Sequence, residues 1–183
     1  MRDVERMLLK LFSASRGDYI TRVKAGVTPR TVANPALNLL GFAVPTKLGE
    51  ALTEDDVASG LLNRMLIAVG DGAAPPQLGL RKKFELTDEM RSKLKAVSFS
   101  DGPITISPEA RDRTDELKLE LYRAEQALPE EAPQRLLLGR TLEKALRIAG
   151  VLSVFDRPAA PVLEIKHLKW GLNFVRAGDA TLV

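Results

Sequence analysis

Few side chains in this sequence are of the kinds that make and break bonds. The 183 residues contain no cysteine, which excludes thiol catalysis, disulfides and thiolate zinc sites. His167 is the single histidine, so any Ser-His-Asp arrangement would have to use it, and without other nitrogen or sulfur ligands it makes a poor metal site. No metal site is expected. A phosphate loop requires Gly-x-x-x-x-Gly-Lys-Ser/Thr, in which backbone amides and one lysine neutralise phosphate. No Gly-Lys dipeptide occurs in these residues, and no Gly-x-Gly-x-x-Gly. Leu66-Ile67-Ala68-Val69-Gly70-Asp71 has the form of an apolar strand ending in a metal-binding aspartate. With no phosphate loop before it to serve, it is taken as a plain strand.

Two polar residues stand where chemistry could use them. Residues 36–44 form a nearly continuous apolar run between Pro35 and Pro45, and this predicts a strand buried on both faces. Such a strand delivers Thr46 at its C-terminal end, the edge at which ligands sit in open α/β sheets. The alternative is that Pro45-Thr46 merely caps the helix that follows. Arg64 stands among apolar neighbours in Ser59-Gly60-Leu61-Leu62-Asn63-Arg64-Met65-Leu66, at a predicted helix-to-strand junction. A guanidinium is costly to bury, so it should emerge at a surface or meet an anion. A surface salt bridge is the other reading.

The net charge is +3 and the pI is near 9.3, so basic groups matter only where they cluster. Arg22, Lys24 and Arg30 fall in one segment, Arg81, Lys82 and Lys83 form a run, and Arg140, Lys144 and Arg147 share a helix face. Such groups can contact nucleic-acid phosphates without base specificity, or they can be solvated faces. Glu143, four residues before Arg147, accounts for part of the last cluster as an ion pair. Aromatic residues for base stacking are scarce at 5%.

The elements that must hold these residues follow from periodicity. Helical spacing of Val4, Met7, Leu8, Leu11 and Phe12 predicts a first helix over 2–12. Two short extended pieces around a turn are predicted between Asp18 and Pro35, then the strand at 36–44, a helix from Thr46 to about Leu52, and a helix to Asn63 capped by Asp55 or Asp56. A second buried strand is predicted from Met65 to Val69, and a loop over 71–80. Thr87 caps a short helix, Ile104 to Ile106 is a short strand, and Ser107-Pro108 starts a helix to about Leu128. Residues 134–155 give the strongest helical period, with Leu138, Leu142, Ala145, Leu146, Ala149, Leu152 and Phe155 on the apolar stripe. A last helix carries Ile165, Leu168, Leu172 and Val175, with Trp170 read as core and His167 as surface. The fold class is therefore mixed α/β, with a partial sheet and helices over residues 1–80 and a mostly helical module over 81–183. No signal peptide and no stretch of 18 apolar residues occurs, so no membrane contact is expected and the cytoplasm is the default.

Asn34-Pro35-x-Leu37-x-x-x-Gly41-x-x-x-Pro45, followed by Gly60-Leu61-Leu62-x-Arg64-Met65-Leu66, resembles the P-loop primase–helicase ATPases of prophages, plasmids and other mobile elements. Met7-Leu8-Leu9-Lys10-Leu11-Phe12-Ser13, the stretch Gly139 to Gly150 and the ending around Trp170 resemble other parts of that family, many of whose members carry a domain of unknown function. The resemblance implies a partial P-loop-ATPase-like sheet, with Thr46, and secondarily Asn38, sensing γ-phosphate. Arg64 would be an arginine finger reaching the nucleotide of a neighbouring subunit. ATP and Mg are implied only for a complete ATPase, since these residues lack the phosphate loop and the metal aspartate. On this reading the chain is not active alone and needs an upstream ATPase segment or homo-oligomer, with nucleic acid as a non-specific partner through Arg22, Lys24, Arg81, Lys82 and Lys83. A non-catalytic DNA-binding or assembly module is the alternative.

Overall fold

The computed structural model describes residues 7–11, 17–21, 26, 28–35, 38–51, 60–61, 64–70, 85–98 and 102–181. The class is mixed α/β, with helices and two small two-stranded sheets. The chain divides into two compact units, Met1–Arg64 and Met65–Val183.

In the first unit residues 7–11 are helical (α1), within the helix that the apolar spacing predicts. Strands β1 (Asp18–Ile20) and β2 (Thr31–Ala33) pair antiparallel, with Asp18 opposite Ala33. The Thr21 amide donates to the Arg30 carbonyl at 2.9 Å, and the Arg30 amide donates to the Thr21 hydroxyl at 2.8 Å. Asn34 closes the other end from the left-handed region, at φ 46°, which asparagine tolerates better than most residues. Its amide donates to the Gly17 carbonyl at 2.9 Å. These are the two extended pieces around a turn expected between Asp18 and Pro35.

The strand expected at 36–44 does not form over its described part. Residues 38–44 are irregular, and Leu39, Leu40, Phe42 and Val44 stand 73%, 82%, 93% and 62% exposed. A strand buried on both faces needs hydrogen-bonding neighbours and a covering layer on each side. No described residue of this unit supplies either. The run ends where helix α2 (Pro45–Ala51) begins, as the proline at its first position favours.

The second unit opens with residues 65–70, which are likewise irregular where a buried strand was expected, with Leu66 and Val69 about half exposed. Their backbone instead lies against the last helix at Gly178, where a Cβ would come within 2.2 Å of the Ile67 carbonyl oxygen. Helix α3 (Asp88–Ser98) starts at Thr87, whose hydroxyl accepts from the Met90 amide at 3.2 Å. Helix α4 (Pro108–Gln126) is capped by Ser107, which accepts from the Ala110 amide at 3.3 Å. Helix α5 (Pro133–Asp156) spans the strongest apolar period of the sequence, and α6 (Ile165–Asp179) closes the unit. Strand β3 (Thr105–Ile106) pairs in parallel with β4 (Val162–Leu163), with α4 and α5 forming the crossover.

The core of this unit lies where α4, α5 and α6 meet, around Ala110, Leu117, Ala145, Ala149, Leu168 and Leu172. Its centre is a close crossing of α5 and α6. A Cβ on Gly171 would come within 2.5 Å of the Ala145 carbonyl oxygen, which is backbone and cannot rotate away. Beside it the ammonium of Lys144, buried on α5, meets Asp179 of α6 at 2.6 Å, and the Thr141 hydroxyl donates to the Leu137 carbonyl at 3.1 Å. No helix among the described residues is long and apolar enough to cross a membrane.

Gly171→Ala is expected to destabilise the second unit by roughly 1–3 kcal/mol through overpacking. Gly139→Ala, with nothing within 4 Å of its added methyl, should stabilise it by about 1 kcal/mol through helix propensity. Urea unfolding followed by Trp170 emission separates the two effects, and equal shifts would contradict the crossing.

Candidate functional site

The residues singled out for nucleotide chemistry fall in the first unit. Asn38 lies exposed in the irregular run, and Thr46 lies exposed in the first turn of α2. Helix α2 begins at Pro45, so Thr46 is inside the helix and is not its cap. The Leu48 amide donates to the Val44 carbonyl at 2.9 Å, which fixes the turn that presents the threonine hydroxyl. Both residues are set by the exposed apolar run that leads into this helix.

Arg64 is half-buried. Gly60 occupies the left-handed region at φ 76°, a conformation that glycine reaches without a Cβ penalty. This directs its carbonyl to accept from Arg64 Nη1 at 2.7 Å, while the Arg64 amide donates to the Leu61 carbonyl at 3.1 Å. A guanidinium has five donors in a planar fork, and this bond fixes the position of one of them. Both residues can be read in the sequence; their bond depends on the left-handed backbone at Gly60.

The basic groups divide differently from their order in the chain. Arg22, Lys24, Arg81, Lys82 and Lys83 lie outside the described residues, and Arg30 is exposed at the foot of β2. On α5, Glu143 pairs with Arg140 and with Arg147, the latter at 2.9 Å. Burial works to raise the Glu143 carboxyl, but hydrogen bonds from the two guanidiniums hold it below the usual range. With Lys144 buried against Asp179, this face offers phosphate little uncompensated charge.

The last helix reverses the expectation for its two most distinctive side chains. His167 is 6% exposed and Trp170 is 52% exposed. His167 is drawn inward because both its ring nitrogens are engaged. Nδ1 accepts from the Glu164 amide at 3.1 Å in a capping box, and Nε2 lies 2.9 Å from Asp156 Oδ2. That pattern places the ring proton on Nε2. Lys166 adds a contact to Asp156 at 2.7 Å. The imidazole is thus a fastener between the end of α5 and the start of α6. Trp170 turns outward and stacks on Phe174, with ring centroids 5.4 Å apart and planes 10° from parallel. Among the described residues no three His, Asp or Glu side chains converge as metal ligands.

Comparison with protein-family models, with curated proteins and with solved structures finds no match for this chain.

Hydrogen bonds from Lys166 and then His167 hold the Asp156 carboxyl at about 2, below its ordinary value near 4. A carboxyl lowered in the folded state stabilises above its unfolded pKa and loses that contribution as pH falls through the folded one. Urea midpoints of the native chain should therefore drop between about pH 4 and pH 2. Asp156→Asn should lower the midpoint at neutral pH and flatten that segment of the profile; an unchanged profile would remove Asp156 from the fastener.

Proposed function

We propose that this chain is the C-terminal portion of a helicase-like, nucleic-acid-dependent ATPase of mobile-element replication, in the cytoplasm. In that assembly the exposed run 38–44 pairs with a sheet carried by a phosphate-loop segment. The observation that supports it is the uncovered run itself. Four large apolar side chains stand in solvent ahead of Thr46, and covering each would contribute on the order of 1.5–3 kcal/mol. A contiguous apolar surface of this kind marks an interaction site. Added as a strand to a neighbouring sheet, the run would gain the backbone partners it lacks among the described residues and would place Thr46 at the sheet's C-terminal edge, where nucleotides bind.

Within such an assembly Thr46, with Asn38 near it, would contact γ-phosphate through its hydroxyl. Arg64, with one donor held by the Gly60 carbonyl, would stabilise charge on the transferring phosphoryl group. ATP and Mg would be held by amides, a lysine and an aspartate of the other segment, and the metal would neutralise the phosphates there. Further copies of the chain would place Arg64 against a neighbour's nucleotide.

In an assembly reconstituted with a phosphate-loop segment, Arg64→Ala should lower kcat by about 10³-fold or more while association is retained. Arg64→Lys should rescue little of it, because a point charge does not replace a planar fork. Phe42→Asp should abolish association itself. Turnover unaffected by Arg64→Ala in a formed assembly would remove the finger, and association unaffected by Phe42→Asp would remove the strand pairing.

A further inference from the structure

The outward face of α6 combines features that no nucleotide site requires. Lys169, Asn173 and Arg176 are exposed along one side of the helix, Trp170 is exposed beside them about a quarter turn round from Lys169, and Phe174 backs one face of its indole. Neither Lys169 nor Arg176 is in an ion pair among the described residues. Both border a groove of about 240 Å³ between α4 and α6, floored by Leu117 and Leu168. Arg113 also reaches the groove, but Glu116 and Glu120 hold it at 2.9 and 2.7 Å, so its charge is already met. The charge of Glu120 extends toward Arg176 without an ion pair forming.

We propose that this face binds single-stranded nucleic acid, a base stacking on the open side of Trp170 and Lys169 and Arg176 taking phosphates along the groove. The inference rests on the reading of the chain as part of a nucleic-acid-dependent assembly, whose grip on the strand it locates. Charge complementarity selects an anionic ligand, and the ring geometry selects among anions. With planes 10° apart, Trp170 and Phe174 form a short column that a base can extend, and base–aromatic stacking tolerates any sequence. An acidic peptide would use the cations and leave the indole without a partner. A duplex keeps its bases in the stack and presents only their edges. Lys169 and Arg176 lie seven residues apart, about 10 Å along a helix, or roughly three nucleotides at about 3.4 Å each. The neighbouring Asn173 supplies an amide at the level between them.

Trp170 is the only indole in the chain, so its emission reports contact directly. The full chain would be titrated with a twenty-nucleotide oligothymidylate without nucleotide or metal, reading Trp170 emission together with the anisotropy of a labelled strand. Saturable quenching that tracks the anisotropy is expected. Trp170→Ala should weaken binding roughly 5- to 150-fold, and Trp170→Phe, which keeps a ring, much less. Lys169→Ala with Arg176→Ala should reduce the salt slope by about 1.4, the contribution of two phosphates on a single strand. These side chains are exposed, and unchanged circular dichroism would show each variant folded. Strand binding that leaves Trp170 emission unchanged would place the contact elsewhere and overturn the proposal. So would absence of binding, equal quenching by polyglutamate, or equal affinity for duplex. Because hydrolysis is not part of the readout, any of these results leaves the Arg64 assignment to the turnover assay.

Discussion

The second unit depends on two helix backbones being allowed to touch. Gly171 of α6 lies so close to Ala145 of α5 that a methyl group in its place would meet the Ala145 carbonyl. That approach sets the depth at which α6 beds into α5, and Leu168, Leu172 and Val175 fill the space around it. Once the depth is fixed, Asp179 comes within 2.6 Å of the buried Lys144. The ends of the two helices are joined at His167 and Asp156, so α6 is held at its start, its middle and its end. The short parallel pairing of β3 with β4 then ties α4 to the same frame, through the Thr105 amide to the Pro161 carbonyl at 3.1 Å.

A buried lysine is unfavourable unless its charge is met, and removing one partner of such a pair costs on the order of 3–5 kcal/mol. The Lys144–Asp179 contact is therefore better understood as selecting one register of α6 on α5 than as adding stability. Any slip along the helix would separate the charges and strand an ammonium in the core. The same constraint decides which side of α6 is left outside. With the Leu168, Leu172 and Val175 side turned inward, Lys169, Trp170 and Arg176 must face out. A rigid helical frame and a chemically distinctive outer face are two results of one packing decision.

The first unit has no comparable fastener among its described residues. Its hairpin is held by backbone bonds, while Ile20 and Val32 remain 64% and 44% exposed. The run before Thr46 leaves more apolar surface uncovered still. A segment with the composition of a central strand and no sheet around it behaves differently from a loop, because its side chains gain free energy from any layer that covers them. This contrast between the units is why the proposed nucleotide chemistry involves a partner segment, while the proposed strand contact needs only the chain itself.

Local rules settled much of the architecture from the sequence alone. Ser107-Pro108 starts a helix because a hydroxyl and a proline satisfy its first turn, Thr87 does the same for α3, and the 134–155 period matches α5 within a residue or two at each end. Arg64 was legible as a residue worth attention, though the Gly60 carbonyl that accepts from its guanidinium was not. Tertiary structure decided what those rules do not reach. Composition makes residues 38–44 and 65–69 strands, but strand formation needs partners, and the described residues provide none. On α5 the period was right and the centre of the stripe was displaced. Leu137, Thr141, Lys144 and Ser153 are buried, while Leu138 and Leu142 are only half-covered, because Asp179 from another helix makes a lysine admissible inside. The exchange of His167 and Trp170 has the same origin. Hydropathy ranks tryptophan inside and histidine outside, and only the arrival of Asp156 and the Glu164 amide gives the imidazole two partners that make burial favourable. The sequence determines which segments become helices; contacts between residues far apart in the chain determine which face of each is left for function.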